Sequence, residues 1–433
     1  MFKGGIHLVD FKELSKDAKI EEFPYPEKVI IPLSQHTGSP AKPVVKRGDG
    51  VVEGDVIGEA TGFISSYIHS SISGKVAGIE KFRLISGVFS PCVIIESDGE
   101  KRKKEFKGNN WLSLSQKQII DIVREAGIVG LGGAAFPTSV KLSIPPGKKA
   151  EAVILNGCEC EPFLTCDYRI LKEKTDQVIE GLQIICKAVG VEKAYIGIEE
   201  NKYDIVPIIR EHLSNLKIKL DVEIKVLPTK YPQGSEKHLI KSITGREVPS
   251  GGLPIDVGCV VFNVQTAFAI KKAVCDGIPL TERVITVSGL VEKPKNLMVR
   301  IGTSVKDIID FCGIKLTDEK KVVIGGPMMG IEIPDINVPV VKATTAILIL
   351  PKEILPDEIE PCIRCGKCID VCPMNLLPCE ISRYAENEKW EICERLGVND
   401  CIECGCCSYI CPSKRPLVEL FKWAKYELRK RKK

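Results

Sequence analysis

AVILN (residues 152–156) is the first of four short apolar runs that decide the fold of the middle of the chain. The other three runs are KAYIGIE (193–199), VEIKVLP (222–228) and CVVFN (259–263). From Leu112 onward, helix-like stretches separate these runs, and strands that alternate with helices form a parallel sheet with helices on both faces. We therefore predict a parallel-sheet α/β domain over residues 111–279.

The residues before this domain have the pattern of a small β module. Short β-like runs such as KVIIPL (28–33) and PCVIIES (91–97) are interrupted by turn residues. RGDGVVEGDVIGEA (47–60), followed by SSISGKVAGIE (70–80), resembles the flattened sandwich of lipoyl and biotinyl carrier domains. No modifiable lysine is evident between paired strands. We therefore predict that residues 1–110 form a barrel-sandwich-like module with a structural role, and we favour that over a carrier function.

The residues after Pro279 predict a second small module. RVITVSGLV (283–291), MVRIGTSVKDIIDFCGI (298–314) and KVVIGG (321–326) have the pattern of two strands, a helix and a further strand. This order is similar to the β-grasp, which we predict for residues 280–350. PKEILPDEIEP (351–361), dense in proline and acidic residues, has the composition of a linker.

Two cysteine motifs follow the linker. CIRCGKCIDVCP (362–373) and CIECGCCSYICP (401–412) both have the spacing C-x2-C-x2-C-x3-C-P. Three thiolates at steps of three can bind three corners of a cubane, while the fourth reaches the neighbouring cluster. The alternative is a pair of zinc sites, but structural zinc generally uses paired C-x2-C steps. We predict two [4Fe-4S] clusters in a helical, ferredoxin-like domain over residues 351–433. The ligands of one are Cys362, Cys365, Cys368 and Cys411; the ligands of the other are Cys401, Cys404, Cys407 and Cys372.

The composition limits the remaining possibilities. The chain has 433 residues, of which 44% are hydrophobic, and 61 basic residues against 57 acidic ones leave a net charge of +4. The excess lies in the tail KYELRKRKK (425–433), so we expect no nucleic acid as a partner. No apolar run approaches the roughly 20 residues of a spanning helix, and the amino terminus lacks an apolar signal core. Nineteen cysteines in such a chain indicate a reducing compartment and metal ligands.

The central domain contains a glycine-rich loop, AGIVGLGGAAFPTSVKL (126–142). Gly132 and Gly133 allow the backbone to approach a ligand closely, and Lys141 is placed to neutralise a phosphate. The loop matches neither G-x-x-x-x-G-K-[ST] nor G-x-G-x-x-G, so neither a P-loop nor the ordinary dinucleotide fingerprint is indicated.

Four segments carry a resemblance to a known flavoprotein. GLGGAAFPT (130–138) looks like the flavin loop of the NADH-oxidising subunit of respiratory complex I, and NGCECEP (156–162), YPQGSE (231–236) and NVQT (263–266) resemble later motifs of that subunit in the same order. FKGGIH (2–7), IPLSQHTGSPAKPVVKRGD (31–49) and the tandem cysteine motifs narrow the match. Together they resemble the C subunits of Rnf complexes, which are membrane-bound ferredoxin:NAD oxidoreductases, with cobalamin reductase as a near relative.

The resemblance implies roles for residues that match the motifs. Residues implied to cradle FMN are Gly132, Gly133 and Lys141; further flavin contacts are Asn156, Glu159, Tyr231, Gly234 and Asn263, with Thr266 a further candidate. Residues implied to position NADH are Phe136, by stacking, Glu161 and Glu236. Leu131, Cys158 and Ser235 replace an arginine, an aspartate and a glutamate of the pattern, which reduces the hydrogen bonding around the flavin. The cysteines of NGCECEPFLTC (156–166) are not expected to bind a third metal.

Electron counting gives the predicted function. NADH delivers two electrons as a hydride, clusters accept one at a time, and FMN converts between the two, so no side chain needs to act as an acid or base. The resemblance implies an NADH-dependent oxidoreductase subunit, peripheral to the cytoplasmic face of the membrane. Its implied partners are NAD(H), an iron-sulfur ferredoxin-like subunit and the membrane subunits that couple electron flow to ion translocation. Two alternatives remain: a soluble cobalamin reductase, and a non-catalytic iron-sulfur wire or scaffold without flavin.

Overall fold

The computed structural model describes residues 2–352 and 360–431. The middle of the predicted linker, 353–359, and the last two residues of the predicted basic tail, Lys432 and Lys433, lie outside the described residues. In the part of the chain that the structure describes, no helix combines the length and the apolar composition that a bilayer crossing needs.

Eight strands lie in the first hundred residues. They are β1 (Ile20–Glu22), β2 (Lys28–Pro32), β3 (Lys42–Pro43), β4 (Gly50–Val51), β5 (Val56–Glu59), β6 (Ile68–His69), β7 (Gly74–Arg83) and β8 (Phe89–Ser97). Strands β2, β8, β7 and β4 form one antiparallel sheet, and β3, β5 and β6 form another. Ile31, Ile57 and Val93 are fully buried in the core that the two sheets share, so the amino-terminal module is a β sandwich.

The central domain contains the predicted parallel sheet. Its elements are α1 (Gln116–Glu125), α2 (Thr138–Leu142), β9 (Ala152–Gly157), α3 (Cys166–Glu173), α4 (Thr175–Val189), β10 (Lys193–Glu199), α5 (Val206–Leu213), β11 (Asp221–Leu227), α6 (Glu236–Thr244), β12 (Cys259–Asn263) and α7 (Val264–Asp276). The four strands are parallel in the order β11-β10-β9-β12. Val153 and Leu155 pack on the side of α4 and α7, whereas Ile154 packs on the opposite face with Leu239 of α6. Burial explains why β9 and β12 are continuous apolar runs, whereas the edge strand β11 is only partly buried and contains Glu223 and Lys225.

The third module has a mixed sheet. Its elements are β13 (Glu282–Gly289), β14 (Lys295–Arg300), α8 (Val305–Phe311), β15 (Lys320–Ile324), β16 (Ile331–Ile333) and β17 (Ala346–Pro351). The predicted order of two strands, a helix and a further strand is present in β13, β14, α8 and β15. The sheet order is β1-β14-β13-β17-β15-β16, so β1 belongs here although the sequence placed it with the first module. The three-residue run IEE has no pattern that specifies this partner.

The two cysteine motifs lie in a helical segment with its own core. Its helices are α9 (Lys367–Asp370), α10 (Pro378–Glu386), α11 (Trp390–Arg395), α12 (Cys406–Ile410) and α13 (Leu417–Arg431). Ile381, Trp390 and Phe421 are buried between α10, α11 and α13. The motifs repeat each other in backbone as well as in sequence, because Gly366 and Gly405 both have left-handed φ angles, of 78° and 81°, immediately before α9 and α12.

Candidate cofactor cavity and cysteine sites

A cavity of about 690 Å³ lies at the carboxyl edge of the parallel sheet. The central domain forms one wall of the cavity, while residues 34–37 and 84–86 of the first module and residues 324–326, 329–331, 341 and 343–345 of the third contribute the others. Eight of the twelve predicted cofactor residues line it, namely Gly132, Gly133, Asn156, Glu159, Glu161, Tyr231, Gly234 and Asn263. Ligands of open α/β sheets generally bind at this edge.

The glycine-rich loop presents free backbone amides to the cavity. The Gly130 amide donates to the Phe136 carbonyl at 2.8 Å and the Ala135 amide donates to the Gly130 carbonyl at 3.1 Å, so the loop folds back on itself. Gly133 has φ +107°, which an L side chain rarely adopts. Within the described residues, the amides of Gly132 and Gly133 donate to no protein acceptor, and both residues are exposed. Successive free amides of this kind suit an anion such as a phosphate.

Two asparagines occupy the ends of neighbouring strands. Asn156 of β9 and Asn263 of β12 are partners in register, so both side chains lie at the same edge of the sheet. Asn156 Nδ2 donates to the Gly234 carbonyl at 2.8 Å, and Asn263 Nδ2 donates to Asp167 Oδ2 at 2.5 Å. Glu159 accepts from the Asp167 amide at 2.8 Å. The polar side chains of this wall are therefore held in place by the protein itself.

Asp167 is a cavity residue that no sequence motif indicated. It is buried, and it also accepts a hydrogen bond from Gln265 Nε2 at 2.9 Å. Burial, and then the nearby Glu159 carboxylate, raise the pKa of Asp167 to about 6. The flavin-like motifs do not include this residue, and only its position at the start of α3, a common place for an acidic side chain, could have drawn attention to it.

Glu161 receives two amides from the third module. The Met328 and Met329 amides each donate to its carboxylate at 3.0 Å. A Cβ atom on Gly326 would lie 2.2 Å from Glu161 Oε2, so the loop 326–330 can approach only because this position is glycine. Burial raises the pKa of Glu161 to about 7. No pattern in the sequence predicted a role for this loop.

The other four predicted cofactor residues do not line the cavity. Lys141 pairs with Glu236, Nζ to Oε1, at 2.5 Å, and its ammonium lies 5.6 Å from the centre of the Phe262 ring. Thr266 Oγ1 accepts from the Leu131 amide at 2.9 Å, while Phe136 closes the glycine-rich loop through its carbonyl. Thr266 and Phe136 thus stabilise the conformation of the loop, whereas Lys141 and Glu236 neutralise each other's charge.

Arg283 supports the loop at the position where leucine replaces arginine. Leu131 is buried, and Arg283 Nη2 donates to its carbonyl at 3.1 Å. Arg283 is itself buried, and burial lowers the pKa of its guanidinium to about 10. Arg283, which lies on β13, therefore brings a guanidinium into contact with the backbone of the glycine-rich loop, although the loop itself contains no arginine.

The three cysteines of NGCECEPFLTC occupy separate packing environments. Cys158 packs with Leu239 beneath α6, Cys160 packs near Tyr231, and Cys166 belongs to the main core of the central domain. Cys160 Sγ accepts the Gly234 amide at 3.3 Å. Cys166 does lie near Glu159 and Asp167, with ligand atoms within 4.8 Å of one another, but both carboxylates already accept hydrogen bonds from the protein.

The eight cysteines of the two motifs line two further cavities. The first cavity is lined by Cys362, Cys365, Cys368 and Cys411, together with Cys379. The second cavity is lined by Cys372, Cys401, Cys404 and Cys407, together with Cys406. Each cavity is lined by the first three cysteines of one motif and the last cysteine of the other motif. The spacing of the motifs predicts this crossed arrangement. We refer to these groups as the first and second cysteine sets.

The backbone around the second cysteine set fits metal-bound thiolates. The Leu376 amide donates to Cys372 Sγ at 3.4 Å, and the Glu403 amide donates to Cys401 Sγ at 3.3 Å. Hydrogen bonds to sulfur stabilise negative charge on the ligands of an iron-sulfur cluster and tune its potential. The donor set, four cysteines with amides directed at sulfur, therefore suits such a cluster.

The second cysteine set adjoins the cofactor cavity. Tyr231, which lines that cavity and is only 3% exposed, donates its hydroxyl hydrogen to the Cys404 carbonyl at 2.8 Å. Ile402, inside the second motif, lines the cofactor cavity as well. By contrast, Cys362 and Cys365 of the first set are exposed. The two sets thus differ in depth, and one of them shares a wall with the cofactor cavity.

Three family descriptions match the chain. They are the Nuo51 FMN-binding domain over residues 123–272, the RnfC barrel sandwich hybrid domain over residues 1–100 and the SLBB domain over residues 284–332.

Full-length relatives and a solved structure are also similar. The chain is 47% identical to the C subunit of the proton-translocating ferredoxin:NAD(+) oxidoreductase complex of Clostridium ljungdahlii, over 99% of this chain and 94% of that protein. It is 45% identical to the C subunit of the Na(+)-translocating complex of Acetobacterium woodii, over 99% and 97%. An NAD+-reducing [NiFe]-hydrogenase in its H2-reduced state has a similar fold, with a TM-score of 0.50 and 19% identity over 72% of this chain and 62% of that chain.

Proposed function

This chain belongs to the family of C subunits of ion-translocating ferredoxin:NAD(+) oxidoreductase complexes, and on that premise we propose that it exchanges electrons between NAD(H) and iron-sulfur centres. It is a subunit of an oxidoreductase, and its central domain is an FMN-binding domain. When bound, FMN takes up two electrons as a hydride and releases them singly. What the chain must supply is a site that orients the nucleotide, excludes water and holds the one-electron centres nearby.

The FMN phosphate is assigned to the glycine-rich loop. The amides of Gly132 and Gly133 support this assignment because both residues line the cavity and, within the described residues, neither amide has a protein acceptor. Asn156, Asn263 and Tyr231 form the wall beside it, and their hydrogen bonds to the protein hold them there. Lys141 would have to exchange Glu236 for the phosphate in order to take the role that the resemblance implies.

NADH is assigned to the rest of the same cavity. A volume of about 690 Å³ is within the range of about 300 to 1,000 Å³ that is typical of small-molecule sites, and residues of three modules enclose it. Glu161 supplies the carboxylate that the resemblance assigns to NADH, and the Met328 and Met329 amides fix its orientation. Phe136 and Glu236, which lie outside the wall, would reach NADH only after a local movement.

Two [4Fe-4S] clusters are assigned to the two cysteine sets. The crossed lining of the two cavities supports this assignment. The observation that carries the whole function is the hydrogen bond from the Tyr231 hydroxyl to the Cys404 carbonyl, because it joins the wall of the cofactor cavity to the second set. The second set would then exchange electrons with the cofactor, and the exposed first set would exchange them with a partner.

The finer architecture and the assembly are also part of the proposal. We assign a β-grasp-like module to residues 280–350 and a ferredoxin-like domain to residues 351–433, beside the amino-terminal module (1–110) and the FMN/NADH domain (111–279). The partners would be an iron-sulfur ferredoxin-like subunit and the membrane subunits of the complex, with this chain bound peripherally on the cytoplasmic face. The names of the relatives favour this assembly over a soluble cobalamin reductase.

Optical and EPR spectra recorded before and after NADH addition test the function. The full chain would be reconstituted with FMN, iron and sulfide under anaerobic conditions. We expect NADH to bleach the flavin absorption and to generate the EPR signal of reduced clusters. Clusters that respond to dithionite but not to NADH, or a chain that retains no flavin, would instead support the wire or scaffold alternative. Parallel assays with ferredoxin and with cob(III)alamin separate the two enzymatic alternatives.

A further inference from the structure

The amino-terminal segment Phe2–His7 lies between the cofactor cavity and the second cysteine set. Its sequence is FKGGIH. The Gly5 amide donates to the Val371 carbonyl at 2.8 Å, next to Cys372. Ile6 exchanges two backbone hydrogen bonds with Tyr231, at 2.8 and 2.9 Å. Adjacent residues of one segment therefore bind the cysteine segment on one side and the cavity wall on the other.

Two glycines make this double contact possible. A Cβ atom on Gly4 would lie 2.5 Å from the Cys372 carbonyl oxygen, and a Cβ atom on Gly5 would lie 2.6 Å from the Tyr231 carbonyl oxygen. Both residues also have left-handed φ angles, of +68° and +76°. The backbone of the segment is thus in direct contact with Cys372 and with Tyr231, at distances that any side chain would prevent.

Phe2 anchors the end of the segment. Its ring is 8% exposed and packs edge-on against His238, with 4.6 Å between ring centres. His238 Nε2 in turn donates to the carbonyl of Pro373, the residue after Cys372. Lys230 places its ammonium 4.8 Å from the centre of the Phe2 ring. Phe2 therefore contacts Lys230, the residue before Tyr231, and also His238, which is hydrogen-bonded to the backbone that follows Cys372.

We propose that residues Phe2–His7 form a positioning strap that fixes Cys372 relative to Tyr231 and so sets the spacing between the second cysteine set and the cofactor cavity. This inference rests on the proposed function, since that spacing matters for the reaction only if electrons pass between the two sites. Among the described residues, no hydrogen bond joins the strap to the glycine-rich loop or to Glu161, and the strap contacts the cavity wall through the backbone of Tyr231. It should therefore affect electron transfer to the cluster and leave the reaction of NADH with the flavin unchanged.

Gly4→Ala, with Gly99→Ala as its matched control, tests the strap. Gly99 has the left-handed φ +76°, but a Cβ atom there would meet nothing within 4 Å. In the reconstituted full chain, stopped-flow absorbance follows flavin reduction by NADH, and rapid-freeze EPR follows cluster reduction. Electron transfer between two fixed centres slows as the distance between them increases. We expect Gly4→Ala to slow cluster reduction about tenfold or more and to alter the cluster EPR signal, while flavin reduction stays within about twofold. Identical behaviour of the two variants in both measurements would overturn the proposal.

Phe2→Ala gives an independent test without backbone strain. Its matched control is Phe11→Ala, because the Phe11 ring stacks on Phe163 at the same 4.6 Å between centres. We expect Phe2→Ala to slow cluster reduction in the same direction but by less, and this variant decides the question if Gly4→Ala fails to fold or loses its cluster. A wild-type chain whose clusters do not respond to NADH contradicts the proposed function; a responsive wild type with an unaffected Phe2→Ala variant contradicts only the strap.

Discussion

Glu161 shows at the scale of one residue how burial couples this site to pH. Its carboxylate accepts the Met328 and Met329 amides, and burial raises its pKa from 4.5 to about 7. Between those two pH values the folded chain retains a proton at Glu161 that the unfolded chain has released. The free energy of unfolding therefore falls as pH rises through this range, and the stabilising contribution of the protonated form is complete only below pH 4.5.

We expect Glu161→Gln to remove this part of the pH dependence. Between about pH 5 and pH 8, the unfolding free energy of the wild type should fall by about 1 to 3 kcal/mol more than that of the variant. One pKa unit corresponds to about 1.4 kcal/mol. Denaturant unfolding of the cofactor-free chain at the two pH values measures the difference. Glu27→Gln, at an exposed position, serves as the control. Equal pH slopes for Glu161→Gln and the wild type would contradict the assignment.

Single residues were predictable from the sequence where a contiguous motif contains them. Gly132, Asn156 and Tyr231 belong to such motifs, and all three line the cavity. Asp167 and Arg283 could not be found in this way, because what distinguishes them is burial beside groups that come from distant parts of the chain.

At the scale of elements, burial decided which strands were predictable from the sequence. The strands β9, β10, β11 and β12 match the four runs to within one residue at either end. The central strand β9 is covered on both faces and stays apolar, whereas the edge strand β11 is only partly buried and contains Glu223 and Lys225. The pairing of β1 with β14 and the contact of loop 326–330 with Glu161 were not predictable, because neither short segment has a periodic pattern.

The glycine-rich loop carries the prediction that belongs to this scale. We expect Gly133→Val to weaken FMN binding about tenfold, or about 1.4 kcal/mol, because a β-branched residue at φ +107° must rotate the amides that face the cavity. Gly147→Val is the control, since Gly147 also has a left-handed φ, of +78°, and does not line the cavity. Fluorescence titration with FMN measures the affinity. Equal affinities in the two variants would argue against a phosphate at this loop.

At the scale of the whole molecule, Lys342 joins three modules at one point. Its side chain is fully buried, and Nζ donates to the Tyr67 carbonyl of the first module and to the Gly127 carbonyl of the central domain, both at 2.7 Å. Gln35 of the first module accepts the Lys342 amide. Contacts between residues more than 200 positions apart leave no local pattern, so the sequence could predict the modules but not how they assemble.

Lys342→Met should destabilise the assembly of modules. Each buried carbonyl that loses the Lys342 ammonium as a donor costs about 1 to 3 kcal/mol, so we expect a loss of roughly 2 to 6 kcal/mol in unfolding free energy. Denaturant unfolding measures this loss, and Lys321→Met is the control because, among the residues that the structure describes, the side chain of Lys321 makes a single ion pair, with Glu332 at 4.0 Å. A loss no greater than that of the control would show that the junction contributes little.

The order of the two cysteine sets belongs to the same scale. Cys362 and Cys365 of the first set are exposed, whereas Cys404 and Cys407 of the second set are buried, and the Tyr231 hydroxyl bonds to the Cys404 carbonyl. A water-soluble paramagnetic complex should therefore broaden the EPR signal of the cluster on the first set more than that of the other. This comparison uses the unmodified chain and needs no assumption about the direction of electron flow. Equal broadening of both signals would contradict the difference in depth.

Cys362→Ser and Cys401→Ser form a matched pair, because each replaces the first cysteine of its motif. We expect NADH still to reduce the remaining cluster of Cys362→Ser, since the second set lies beside the cofactor cavity. In Cys401→Ser, dithionite should still reduce the remaining cluster. NADH should reduce it at least about tenfold more slowly than in the wild type, because the variant lacks the cluster that lies between the cofactor cavity and the first cysteine set. EPR after each reductant, with iron and flavin contents confirming the loading, measures both outcomes. The reverse result, with NADH reducing only the cluster of Cys401→Ser, would place the first set next to the nucleotide and invert the proposed order.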